Sequence, residues 1–188
     1  MGQVLTNRRG FFHKFLRDPE RIGAFAPATL QLAQNVSRAT QQAYRNHAAV
    51  PGKHGLPFRL VELGAGTGAL TRSINVLNPI LVERDAEWAA SLRRQFPALE
   101  VRTQCATSTL LGLEEPVGIV TSIPLLNNPH GIELKRLLAR KYAEGLIRFC
   151  VLYTYGWADP LKDLGFRVGY RSSFVALNFP PASVWIYQ

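Results

Sequence analysis

Seven residues constrain this chain more than any others: Glu62-Leu63-Gly64-Ala65-Gly66-Thr67-Gly68. A short apolar run, residues 58–63, leads into them, and Ala69-Leu70-Thr71-Arg72-Ser73-Ile74 follows. The order reads strand, glycine turn, helix. Three glycines in five residues exceed what a tight turn needs. They belong where the backbone takes positive φ and lets a ligand approach closely. A side chain at Gly66 is therefore expected to enter that ligand's space. A helix beginning at residue 69 would turn free N–H groups toward the turn. A second apolar run, Pro79-Ile80-Leu81-Val82-Glu83, ends in an acid 17 residues past Gly66. An acid at the tip of the second strand is where doubly wound folds grip a ribose diol.

The rest of the chain alternates in the same way. Asp85 is placed to cap a helix over 86–96, with Ala89, Leu92 and Phe96 on one face. Strands are predicted over 99–103, 117–122 and 146–155, with a helix over 132–146 between the last two. Residues 166–173 and 174–187 read as a closing antiparallel pair, with Pro180-Pro181 demoting the second member to an edge or bulge. The expected fold is α/β, a doubly wound, mostly parallel sheet with an antiparallel final strand and ligands at the strand carboxyl ends. At 188 residues and 47% apolar content the chain can bury one real core. No apolar stretch approaches the roughly 20 residues of a membrane-spanning helix. No secretory signal is visible, and two cysteines make no disulfide framework, so a reduced, cytoplasmic setting is expected.

Charge is unevenly distributed. Residues 1–59 hold nine Lys/Arg and two acids, +7 of the net +9. Residues 1–50 read as a basic helical extension, separated from a domain over 58–188 by the linker Pro51-Gly52-Lys53-His54-Gly55-Leu56-Pro57. A helix is predicted from Pro27 to about Tyr44. Nearer the terminus, Phe11, Phe12, Phe15 and Leu16 share one helical side, flanked by Arg8, Arg9, Lys14 and Arg17. Packing on the chain's own domain would satisfy that face. So would an anionic membrane surface, where each cation contributes roughly 1 kcal/mol and aromatic burial adds more.

Gly64-x-Gly66-x-x-Ala69 formally fits the dinucleotide fingerprint. With Glu62 and Gly68 the run more closely resembles motif I of class I S-adenosylmethionine-dependent methyltransferases, a Rossmann-like class. That resemblance assigns Glu62, Gly64, Ala65, Gly66, Gly68, Glu83 and Arg84 to the cofactor, with Cys105, Ala106 and Ser122 at the following strand ends.

A wider resemblance covers most of the chain. Residues 15–19 and 21–27, the run Val61-Glu62-Leu63-Gly64-Ala65-Gly66-Thr67-Gly68, Ser122-Ile123-Pro124-Leu125-Leu126, Thr154-Tyr155-Gly156 and Asn178-Phe179-Pro180-Pro181-Ala182-Ser183-Val184-Trp185 are similar to the small bacterial phosphatidylethanolamine N-methyltransferases. Those enzymes look related to ribosomal RNA adenine dimethylases. The resemblance implies methyl transfer from S-adenosylmethionine to a phospholipid amine by a monomeric, peripheral membrane enzyme on the inner face of the cytoplasmic membrane. Residues 1–50 would face the membrane and cover the cofactor, and no metal is implied.

Two departures stand out. Cys105 replaces the Asp that would hold the adenine amino group, and Gly118 replaces an Asp opening the fourth strand. A weakly active or non-catalytic relative therefore stays open as an alternative. An RNA methyltransferase is the other. It is disfavoured because Ser122-Ile123-Pro124-Leu125 lacks the Asn and the aromatic that stack a flipped base. For the acceptor, Tyr153, Tyr155 and Trp157 alternate along the fifth strand and its exit; ordinary strand packing would account for them, and so would an aromatic wall that holds methylated ammonium. Tyr155 and His130, the latter on the loop after the fourth strand, are the candidate catalytic groups.

Overall fold

A computed structural model describes residues 26–48, 58–126, 129–178 and 180–188; for residues 26–29, 129 and 130 only the backbone is described. The order is α1 (Ala26–Ala48), β1 (Arg59–Leu63), α2 (Thr71–Ile74) continuing into a 3-10 turn (Asn75–Leu77), β2 (Ile80–Glu83), α3 (Ala86–Gln95) and β3 (Val101–Thr103). Then come α4 (Ala106–Leu111), β4 (Val117–Thr121), α5 (Pro129–Ala143), β5 (Ile147–Tyr155), β6 (Gly169–Val175) and β7 (Ala182–Tyr187).

The seven strands form one sheet in the order β3-β2-β1-β4-β5-β7-β6. β1 to β5 run parallel, and β7 pairs antiparallel with both β5 and β6. Strand order reverses between β1 and β4, and the carboxyl ends at such a switch point are where doubly wound sheets bind ligands. The register there is Leu63 opposite Thr121 and Val82. Thr121 secures the exit of β4: its hydroxyl donates to Leu63 O at 3.1 Å and accepts from Ile123 N–H at 3.1 Å.

Alternate residues of the parallel strands serve opposite faces. Val61, Leu63, Val82 and Ile119 meet Leu110 of α4 and Leu134, Leu137 and Leu138 of α5. Leu60, Val120, Phe149, Val151 and Val184 meet α1. The buried positions of α1 are Leu32, Ala33, Val36, Ser37, Ala39, Thr40 and Ala43, a 3.6-residue stripe. Ser37 Oγ donates to Ser73 O at 2.5 Å and Tyr44 OH to Phe58 O at 3.2 Å, tying α1 to the domain. α3 covers Leu81 through Leu92, and Asp85 caps it, its carboxylate accepting from Glu87 and Trp88 N–H at 2.9 and 3.0 Å.

Several boundaries differ from expectation. α2 is a single turn starting at Thr71, because the backbone of 64–70 is consumed by the turn. α5 begins at Pro129, not 132, since Pro suits the first helical position. His130 therefore lies in its first turn and not on a loop. α4 was not predicted; its six residues are too few to show a period. β7 starts after Pro180-Pro181, which fall in the β6–β7 turn.

Candidate functional site

The glycine turn follows β1 directly. Gly64 N–H and Ala65 N–H both donate to Val82 O, at 2.9 and 3.2 Å, and Gly68 N–H donates to Ala65 O at 2.9 Å. Gly66 and Gly68 have φ of +54° and +78°. A Cβ on Gly68 would lie 2.6 Å from Phe96 Cε2, and one on Gly66 would lie 3.2 Å from Trp88 Cζ3. The Cβ direction at Gly66 thus points at the chain's own indole, a neighbour that the sequence reading of ligand space did not include. Helix α3 closes down on the turn, which only glycine permits.

Two carboxylates flank it. Glu83 is buried; its Oε2 accepts from Gly66 N–H and its Oε1 from Asp85 N–H, both at 2.9 Å. It locks the turn to the end of β2. Glu62 is fully buried in β1. Its Oε2 accepts from Thr71 Oγ1 at 2.8 Å, while its Oε1 has no hydrogen-bond partner. Burial, offset in part by the Thr71 hydroxyl and reinforced by the Glu83 charge, raises its pKa from 4.5 to about 8. An orphaned carboxylate oxygen at this depth is costly unless something cationic or donating meets it.

The neighbouring strand ends add the rest. Cys105 follows β3, is exposed, and caps α4: its Sγ accepts from Ser108 N–H at 3.3 Å and lies 2.9 Å from Ser108 Oγ. These contacts with Ser108 hold the thiol pKa below its usual value. Ala106 opens α4 and packs, half-buried, on the core. Ser122 leaves β4 and hydrogen-bonds the Tyr153 hydroxyl, which also engages Tyr155. The two tyrosine rings meet edge to face at 5.8 Å. Burial raises both phenol pKa values, so both are neutral hydroxyls near pH 7.

The structure therefore gathers Glu62, Gly64, Ala65, Gly66, Gly68, Glu83, Arg84, Ser122 and Tyr155 along the carboxyl edge of β1, β2, β4 and β5, with Cys105 and Ala106 beyond β3. Arg84 is exposed. Trp157 leaves the expected wall: its ring stacks on Phe174 at 4.0 Å under the guanidinium of Arg171. Gly118 has a packing reason, since a Cβ there would lie 2.5 Å from Phe149 Cζ. The side chain of His130, and Arg8, Arg9, Phe11, Phe12, Lys14, Phe15 and Arg17, lie outside the described residues. Sequence reasoning missed Thr71 and Trp88, whose roles follow from α2 and α3 folding back on the turn; no spacing rule announces them. Among the described residues no cluster of His, Cys, Asp and Glu could hold a metal, and no helix is long and apolar enough to cross a membrane.

No protein-family model matches the sequence, and no curated protein does. Solved structures do. The bifunctional kinase-methyltransferase WbdD superposes with a TM-score of 0.61 at 18% identity, over 81% of this chain and 38% of WbdD. The delta-N METTL16 methyltransferase domain gives 0.57 at 12%, over 84% and 82% of the two chains. The 23S rRNA methyltransferase ErmE gives 0.51 at 18%, over 81% and 66%. The chain spans about two fifths of WbdD's length. The fold is the doubly wound, mostly parallel one of these methyltransferase structures.

Proposed function

We propose that the chain is an S-adenosylmethionine-dependent methyltransferase acting on the amine headgroup of phosphatidylethanolamine and its mono- and dimethyl derivatives. The observation that carries the cofactor reading is the buried Glu62 with an unpartnered Oε1 beside a glycine turn that Glu83 has locked. Glu62 would accept from the ammonium of the cofactor's amino-acid end. Glu83 retains lone pairs for ribose hydroxyls, and the Cys105–Ala106 corner would border the adenine. A pyrophosphate suits the site poorly. The N–H groups of Gly64, Ala65, Gly66 and Gly68 already have acceptors, α2 is one turn long, and two acids stand beside the turn.

S-adenosylmethionine, when bound, supplies an electrophilic methyl carbon on a sulfonium leaving group. The protein's task is alignment and proton management. An amine with a pKa near 10.4 must lose its proton to attack, at a cost of roughly 4–5 kcal/mol near pH 7. The half-buried Ser122, Tyr153 and Tyr155 would orient its lone pair, and the tyrosine rings would hold the methylated ammonium. Tyr155 acts as a neutral hydroxyl. His130 remains the candidate proton acceptor.

The phospholipid rests on the sequence resemblance from residue 15 to Trp185. An RNA acceptor is the second reading, favoured by the +9 charge and the likeness to ErmE. Against it, Leu125, at the position of a base-stacking aromatic, is only 3% exposed and packed in the core. Incubation with radiolabelled S-adenosylmethionine and, separately, mixed lipids or RNA should label phosphatidylethanolamine products only. Label in adenine, or in neither, would reject the reading.

A further inference from the structure

Single exposed apolar residues are ordinary, but two here are built into one rigid rim beside the site. Trp157 is 63% exposed and Leu177 is 79% exposed. Trp157 lies on the loop leaving β5, Leu177 on the β6–β7 turn. Gly156 N–H donates to Pro181 O at 2.7 Å and Ser183 Oγ donates to Gly156 O at 2.6 Å, joining the two loops. Tyr155 and Val175 both pair with Ala182, so the rim stands at the strand end that carries Tyr155. Stacking on Phe174 at 4.0 Å and the Arg171 guanidinium 4.5 Å from the ring centroid fix the indole. The turn is closed by Asn178 N–H to Val175 O at 3.2 Å and Asn178 Nδ2 to Pro180 O at 2.6 Å, leaving Leu177 at its tip.

We infer that this rim rests on the surface of an anionic phospholipid bilayer, with Trp157 and Leu177 at the boundary of headgroups and acyl chains and Arg171 among the phosphates. The inference rests on the lipid reading above and names how that site meets its substrate. The chemistry favours a bilayer over a nucleic acid. Phe174 already covers part of the indole, and Leu177 can neither stack on a base nor hydrogen-bond to one. An indole, an aliphatic tip and a guanidinium together suit the interface. Arg171, the cation held at the indole, complements an anionic leaflet.

Tryptophan fluorescence tests this, because Trp88 is half-buried and Trp185 buried. The probe is vesicles of equal parts phosphatidylglycerol and phosphatidylcholine brominated on its acyl chains, with no ethanolamine headgroup. The full chain should be quenched, and Trp157→Phe, which keeps an aromatic in the stack, should lose that quenching. Leu177→Asn should raise the vesicle dissociation constant about tenfold, while turnover of short-chain, monomerically dispersed phosphatidylethanolamine stays unchanged. Equal quenching in the unaltered chain and Trp157→Phe would overturn the inference. So would a Leu177→Asn constant within about twofold of the original, or quenching of Trp157 by an RNA oligonucleotide and not by vesicles. Vesicle quenching without methylation of the short-chain lipid would reject the proposed substrate and leave the docking rim standing.

Discussion

Glu62 and Cys105 each make the residue scale testable. Glu62 has a folded pKa of about 8 against 4.5 unfolded, so the folded state binds the proton more tightly. Its contribution is greatest below pH 4.5 and is lost as pH rises toward 8, by at most roughly 5 kcal/mol. Glu62→Gln should flatten that fall in denaturant unfolding between pH 5 and 8, and should cut S-adenosylmethionine affinity in calorimetry. Unchanged affinity would remove Glu62 from the site. Cys105→Asp separates two roles. Asp is a better N-cap, so α4 should gain about 0.5–2 kcal/mol. If the corner also borders adenine, cofactor affinity should tighten. A stability gain with unchanged affinity would mean that Cys105 only caps the helix. The two acids were legible because an acid inside a strand and another at a strand tip are unusual. The cap was not, since a cysteine carries no capping signal.

At the element scale, periodicity placed most strands and α3 to within a few residues, because alternation and the Asp85 cap are local signals. It missed what tertiary packing decides. α4 is too short for a pattern. α2 shrinks to one turn because the glycine turn extends to residue 70. The closure of α3 on that turn makes a prediction. Gly68→Ala places a Cβ against Phe96 at positive φ and should cost about 2–4 kcal/mol in denaturant unfolding. Gly66→Val should weaken both stability and cofactor binding. Adding Trp88→Leu should restore part of the stability, because the clash is with the indole. If the double variant is no more stable than Gly66→Val, the side chain must point elsewhere, as the sequence alone had suggested.

For the whole molecule, the sequence's +9 is concentrated ahead of the sheet, whereas the site opens at the carboxyl edge of β1, β4 and β5. α1 shares one core with the sheet through Val36, Ala39 and Ala43. The basic aromatic segment that precedes it in the sequence is therefore continuous with a helix of the folded domain. For a lipid acceptor, that segment supplies electrostatic attraction and the rim of Trp157 and Leu177 supplies apolar contact near the site. The two contributions differ in salt dependence. Arg8, Arg9, Lys14 and Arg17 changed together to Gln should weaken binding to phosphatidylglycerol vesicles, more at low salt, where each cation contributes roughly 1 kcal/mol. Phe11→Ala with Phe15→Ala should weaken it with little salt dependence, because the lost contribution is apolar burial. Domain stability should be unaffected by the charge changes. Vesicle sedimentation at two salt concentrations measures both effects. Identical salt dependence in the two variants would mean that the Phe pair serves the domain's own packing and that the cations act without it.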